Sequence, residues 1–168
     1  LEDLLYQNKN ITEPYYCEVK QNNPWDKGVL AKKILKEIKP IIKLNKSDSL
    51  NYTIRNTDRS IGASASGFIA NNYGEAGLNK PITLHFKGSA GQSFGCWNAN
   101  GLNLIIDGDA NDYVGKGMNG GKIVIKNTSA YVQNSSETTL IGNTCLYGAT
   151  GGEVYVAGSA GERFAVRN

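Results

Sequence analysis

One recurrence constrains this chain more than any other feature. From residue 51 onward a short β-prone run ends in Gly or Asn again and again. The runs are Tyr52 to Asn56, Ile82 to Gly88, Leu104 to Gly108, Lys122 to Asn127, Thr139 to Gly142 and Val154 to Gly158, and Phe164 to Asn168 opens another. Between Gly88 and Gly158 the closing residue returns about every 15–20 residues, a repeat-protein period. Gly and Asn tolerate positive φ, so each run predicts a strand closed by a left-handed corner. Small residues also recur after the corners. Gly88-x-x-Gly91-x-x-x-Gly95 is matched by Gly108-x-x-Asn111-x-x-x-Gly115 and Gly158-x-x-Gly161-x-x-x-Ala165, with weaker copies from Asn56 and Gly142. Small residues at shared offsets imply that backbones come close at the same place in every layer.

No helical pattern of 10–15 residues separates the strands, which argues against a βαβ sheet. The expected class is therefore all-β, a parallel β-helix spanning residues 51–168, with each coil stacked on the next. Ile105, Val124, Leu140 and Val156 are the expected inward residues. Ser66 to Ala76 interrupts the repeat and predicts a short helix. Residues 1–50 read as a connector: Gln7 to Asp26 is polar and holds Pro14 and Pro24. An amphipathic helix is expected over about 28–39, with Leu30, Ile34, Leu35 and Ile38 on one stripe. Asp26 is a candidate cap, and Pro40 is expected to end the helix. A helix this short packs on its own domain rather than on a membrane surface.

Composition narrows the function classes. The 168 residues suit one domain. A net charge of +3, from 18 basic and 15 acidic residues, is too small and scattered for a nucleic-acid groove or an anionic membrane. Mean hydropathy is -0.37, and no apolar run approaches the ~18 residues of a membrane span. Leu1-Glu2-Asp3-Leu4-Leu5 lacks the pattern of an export signal. Cys17, Cys96 and Cys145 have no CxxC or zinc spacing and read as idle or buried thiols. The N-x-S/T matches at Asn10, Asn45, Asn51, Asn127 and Asn134 are expected by chance in so Asn-rich a chain.

Four motifs resemble chemistry. Gly91-Gln92-Ser93-Phe94-Gly95 fits a nucleophile elbow, but the lone His85 precedes Ser93 and no second histidine can serve as base. His85 alternates with Leu84 and Phe86, which predicts a solvated or inter-domain side chain. Gly115-Lys116-Gly117-Met118-Asn119-Gly120 fits a dinucleotide fingerprint, yet a strand pattern follows where a helix is required. Lys116 and Lys122 could meet an anion in a backbone nest. Asp107, Asp109 and Asp112 lack the Glu of a calcium loop, since Met118 stands there, and read as corner-capping carboxylates. No catalytic, cofactor-binding or metal-binding residue is assigned.

Longer blocks carry a resemblance. Gly88 to Gly95, Gly108 to Gly117, Gly120 to Val124, Gly142 to Gly152 and Ala160 to Asn168 resemble the carboxy-terminal GXGXG domain of the glutamate synthase large subunit. Asn56 to Gly62 with Ser66-Gly67 resembles the entry to that domain. The resemblance implies a right-handed parallel β-helix that continues past Asn168, so the chain is expected to be a fragment, a truncated form or a reduced relative. It implies a parent enzyme that converts glutamine and 2-oxoglutarate to two glutamates, with FMN and an iron–sulfur cluster and with ferredoxin or NAD(P)H as donor. The implied partners are the amidotransferase and synthase domains, and at the level of the parent ferredoxin or an NAD(P)H-oxidising subunit. No nucleic acid or membrane is implied, and the compartment would be the cytoplasm or plastid stroma. The implied role of this segment is a non-catalytic spacer. A free-standing β-helix subunit or interaction module, as in formylmethanofuran dehydrogenase-like complexes, is the alternative.

Overall fold

A computed structural model of the chain describes residues 26–128 and 137–168. Cys17, Asn10 and Asn134 lie outside the described residues. The elements run α1 (Val29–Lys43), β1 (Asp48–Ile54), α2 (Ala63–Tyr73), a 3-10 turn (Gly74–Ala76), then β2 (Ile82–Ala90), β3 (Leu102–Ala110) and β4 (Asn119–Lys126). β5 (Thr139–Ile141), β6 (Gly151–Val156) and β7 (Ser159–Ala160) complete a seven-stranded sheet. Every pairing among these strands is parallel. The main path is β1-β2-β3-β4-β6, in chain order.

The all-β expectation is corrected. A parallel sheet with helices interleaved is an α/β arrangement, not an all-β right-handed β-helix. α2 stands between β1 and β2, and α1 precedes both. Ile34, Ile38 and Ile42 of α1 and Ala65 and Ile69 of α2 are buried in the same core as the strands. The helices therefore help to build the interior. What the repeat does describe correctly is local: β2, β3 and β4 follow one another in parallel with only turns between them.

Strand alternation sets the core. Leu84, Leu104 and Ile123 form one register column, and Phe86, Ile106 and Ile125 form the next. All six are buried, each contributing about 1.5–3 kcal/mol by leaving water. Ile105 and Val124 are the residues between, and they point to the opposite face, contrary to expectation. Leu140 is buried and Val156 packs partly against the core. Leu104-Ile105-Ile106 is apolar throughout, so hydrophobicity could not fix which parity faces in.

α1 also departs from its predicted bounds. It runs to Lys43 through Pro40, whose missing N–H removes one helical bond. Pro40 is exposed, so the carbonyl it leaves unmatched lies on the outer face, while Ile38 and Ile42 on either side are buried. Apolar burial on the inner face carries the helix across the break. Asp26 is not the cap, which is Gly28; its carboxylate accepts the Gly28 N–H at 3.0 Å and pairs with Lys32 at 2.6 Å. The Tyr52 hydroxyl donates to Glu37 at 2.8 Å and ties α1 to β1, and the Tyr52 ring stacks on Phe86.

Candidate functional site

The glycine-rich segments fold by one rule. Every second residue has positive φ: Ser93, Gly95 and Trp97 in one layer, Tyr113, Gly115 and Gly117 in the next, then Thr144, Leu146 and Gly148, then Arg163, Ala165 and Arg167. Their φ values run from 54° to 67°. Alternating left- and right-handed residues turn the chain into a flat ribbon of successive turns, and the ribbons stack. Gly95 N–H donates to Ile61 O (2.8 Å), Gly115 to Phe94 O (2.9 Å), Leu146 to Val114 O (2.7 Å) and Ala165 to Cys145 O (2.9 Å). Ser93 and Tyr113 donate the other way, to Asp112 O (2.8 Å) and Asn143 O (2.9 Å). Ile61, Phe94, Val114 and Cys145, at the same level in successive layers, are all buried.

Sequence reading missed this period of two. Only Gly95, Gly115, Gly117 and Gly148 announce it; Ser93, Trp97, Tyr113, Thr144 and Leu146 hold the same conformation at a steric cost of roughly 1–2 kcal/mol each. The weaker repeat copy from Gly142 was also misplaced. Ile141 pairs with Ala110, so Gly142 lies level with Asn111 rather than Gly108.

The motif residues resolve separately. His85 lies in the outward column between Asn51 and Ile105. Ser93 belongs to the ribbon, and no hydrogen bond joins the two among the described residues. β4 begins at Asn119, inside the Gly115 to Gly120 motif, so a strand and not a helix follows the turn, as expected. Lys116 lies over the rings of Tyr113 (5.3 Å) and Tyr147 (5.9 Å), whereas Lys122 pairs with Glu153 at 2.9 Å, so the two cations do not converge. The three aspartates serve corners: Asp107 accepts the Thr128 N–H (2.8 Å) and hydroxyl (2.6 Å), Asp109 accepts the Ser89 hydroxyl, and Asp112 accepts the Asn143 N–H (2.7 Å). The Thr128 bonds hold the half-buried Asp107 carboxyl below its ordinary range. Among the described residues no group of His, Cys, Asp and Glu is placed to hold a metal ion.

Cys96 and Cys145 are buried and not disulfide-bonded. Burial pushes the Cys96 thiol up, and burial lifts the Cys145 thiol to about 11. Both stay protonated at pH 8, and the thiolate is the reactive form. Iodoacetamide at that pH is expected to leave both unlabelled in the folded protein and to label both in denaturant, as read by peptide mass spectrometry. Rapid native labelling of Cys145 would contradict its placement.

An open groove of about 870 Å³ lies between the start of α1, the β1–α2 connection, α2 and Trp97. Trp97 is 60% exposed at its rim. Lys39 lies 5.1 Å from the centre of the Phe68 ring within it. Lys27, Lys39 and Arg59 line it, with Asp26 and Asp58. Both carboxylates are engaged within the molecule, Asp26 by Lys32 and Asp58 by the Arg55 N–H at 2.9 Å.

Comparison with known proteins follows these features. A family model described as the GXGXG motif matches residues 28–168. The ferredoxin-dependent glutamate synthase of Pyropia yezoensis is 48% identical over 99% of this chain. The glutamate synthase (NADPH) large chain of Bacillus subtilis is 43% identical over 100% of it, and the chloroplastic ferredoxin-dependent glutamate synthase 2 of Arabidopsis thaliana 46% over 90%. The matched region is 11%, 11% and 9% of those proteins, so the chain spans about a tenth of their length.

Proposed function

Because the chain belongs to the GXGXG motif family, we propose that it is the rigid, non-catalytic segment of a glutamate synthase large chain. In this reading residues 51–168 form the body, and the connector of residues 1–50 packs its helix α1 onto that body. The body keeps the glutamine-hydrolysing amidotransferase domain and the FMN/iron–sulfur synthase domain in fixed relation. The parent enzyme converts glutamine and 2-oxoglutarate to two glutamates, drawing electrons from ferredoxin or an NAD(P)H-oxidising subunit, in the cytoplasm or plastid stroma. The observation that carries the reading is the stacked ribbon: backbone bonds and close glycine contacts join every layer, which suits stiffness rather than chemistry.

The described donors do not fit the parent's cofactors. An iron–sulfur cluster takes thiolates, whereas Cys96 and Cys145 are buried, protonated thiols in separate layers. A flavin phosphate would need convergent cations, and Lys116 and Lys122 face different partners. FMN and the cluster therefore belong to other parts of the large chain in this reading.

A destabilised ribbon layer in the full large chain tests the role. Gly115→Val puts a β-branched residue at φ +63, with its Cβ 2.7 Å from Leu146 Cδ2. Glutamine hydrolysis and ammonia-dependent glutamate formation should persist separately, while glutamine-dependent synthesis falls at least tenfold. Equal loss of all three activities, or glutaminase activity in the isolated chain, would refute a spacer.

A further inference from the structure

The groove beside Trp97 is built unlike the rest of the surface. Trp97 is the bulky occupant of a left-handed position, φ +55, which Gly117 and Gly148 fill in the next two layers. The stacked ribbon imposes the same conformation on Tyr113, Leu146, Arg163 and Arg167, so what sets Trp97 apart is a large aromatic ring held at the groove rim. Its indole is fixed by packing: a Cβ at Gly117 would lie 2.9 Å from Trp97 Cδ1, so only Gly there lets the ring lie down. Yet the ring remains largely exposed.

Charge around the groove leans positive. Lys32 neutralises Asp26 and a backbone N–H holds the Asp58 carboxylate, while Lys27, Lys39 and Arg59 have no ion-pair partner among the described residues. The outer ridge of α1 continues the same sign through Lys36 and Lys43. Leu35 and Phe68 supply an apolar floor. A cleft of this kind matches a chain segment whose acidic side chains meet the cations and whose apolar side chains enter beneath Trp97. A membrane or a polyanion would use the charge but not the recessed aromatic floor.

We propose that this groove docks an acidic polypeptide segment carrying apolar side chains, with Trp97 as its anchor. The inference stands apart from the spacer role and survives its failure.

A fluorescent peptide of Glu and Leu patterned as an amphipathic helix is the probe, titrated with the whole chain at low ionic strength. Saturable binding is expected, and it should weaken as salt rises. Lys39→Glu combined with Arg59→Glu should weaken it at least tenfold, whereas Lys126→Glu on the outer sheet face should leave it unchanged. Trp97→Gly should also weaken it at least tenfold while melting at the same temperature or higher, because glycine takes φ +55 without a Cβ clash. A Kd above about 1 mM overturns the proposal. So does equal binding of a Glu/Ser peptide, tighter binding to phosphatidylserine vesicles or a single-stranded oligonucleotide, or wild-type affinity in the groove variants.

Discussion

Gly108→Ala is expected to destabilise the protein by about 4 kcal/mol, combining backbone strain with overpacking. At φ +149 an added Cβ would lie 1.8 Å from the Gly88 carbonyl oxygen. That oxygen belongs to main chain, so no rotamer change relieves the contact. Gly88 cannot retreat, since its own Cβ position lies 2.2 Å from the Ile54 carbonyl oxygen one layer further on. The three layers are in register, Ile54 with Gly88 and Gly88 with Gly108. Gly148→Ala is the control: φ is +64, but no heavy atom lies within 4 Å of the added Cβ. It should cost only the left-handed penalty of about 1 kcal/mol. Urea unfolding of both variants separates the two terms, and equal losses would show that layer contact is not what requires Gly108.

Asn98→Asp is expected to cost about 3–5 kcal/mol at pH 7, the scale of an unpaired buried charge. Asn98 is fully buried, and its Nδ2 donates to Leu102 O (2.9 Å) and Gly120 O (3.1 Å). Its main-chain carbonyl accepts the N–H groups of Asn119 and Gly120. One side chain and one peptide thus pin the entry to β4 onto the preceding layer. A carboxylate would replace both donors with negative charge facing two carbonyls. Burial would push the introduced carboxyl above the ordinary value of about 3.9. The folded variant would then hold a proton that the unfolded chain releases. Relative to wild type its deficit should be smallest below about pH 4 and should grow as pH rises through the folded value. A deficit independent of pH would mean that the carboxyl reaches water.

Asn98 also illustrates what sequence reading could reach. Nothing in the composition of Cys96 to Asn100 marks a fully buried amide. The strand cores were legible where polar residues alternate, as with Leu84, His85 and Phe86. They were not legible at Leu104-Ile105-Ile106, where only the register decides. α2 was visible as an interruption of the repeat, but its burial against the sheet was not, and that packing removes the chain from the all-β class. The ribbon was legible only through its glycines. Layer contacts force Tyr113, Trp97 and Leu146 into conformations their own preferences oppose, so propensity pointed elsewhere. The groove cations are visible as residues, but their proximity comes from α1 and the β1–α2 connection meeting.

The strict alternation of handedness has an evolutionary corollary. A single-residue insertion inside a ribbon would exchange left- and right-handed sites for everything downstream, sending Phe94-type side chains outward. Length must therefore change elsewhere. Corner partners Ser89 and Asp109 are 20 residues apart, whereas Asp112 and Asn143 are 31 apart and Asn143 and Glu162 only 19. The extra residues of the longer step fall between β4 and β5. That junction is where a grafted loop or tag should be accepted, and the spans 93–97, 113–117, 144–148 and 163–167 are where even one added codon should be rejected.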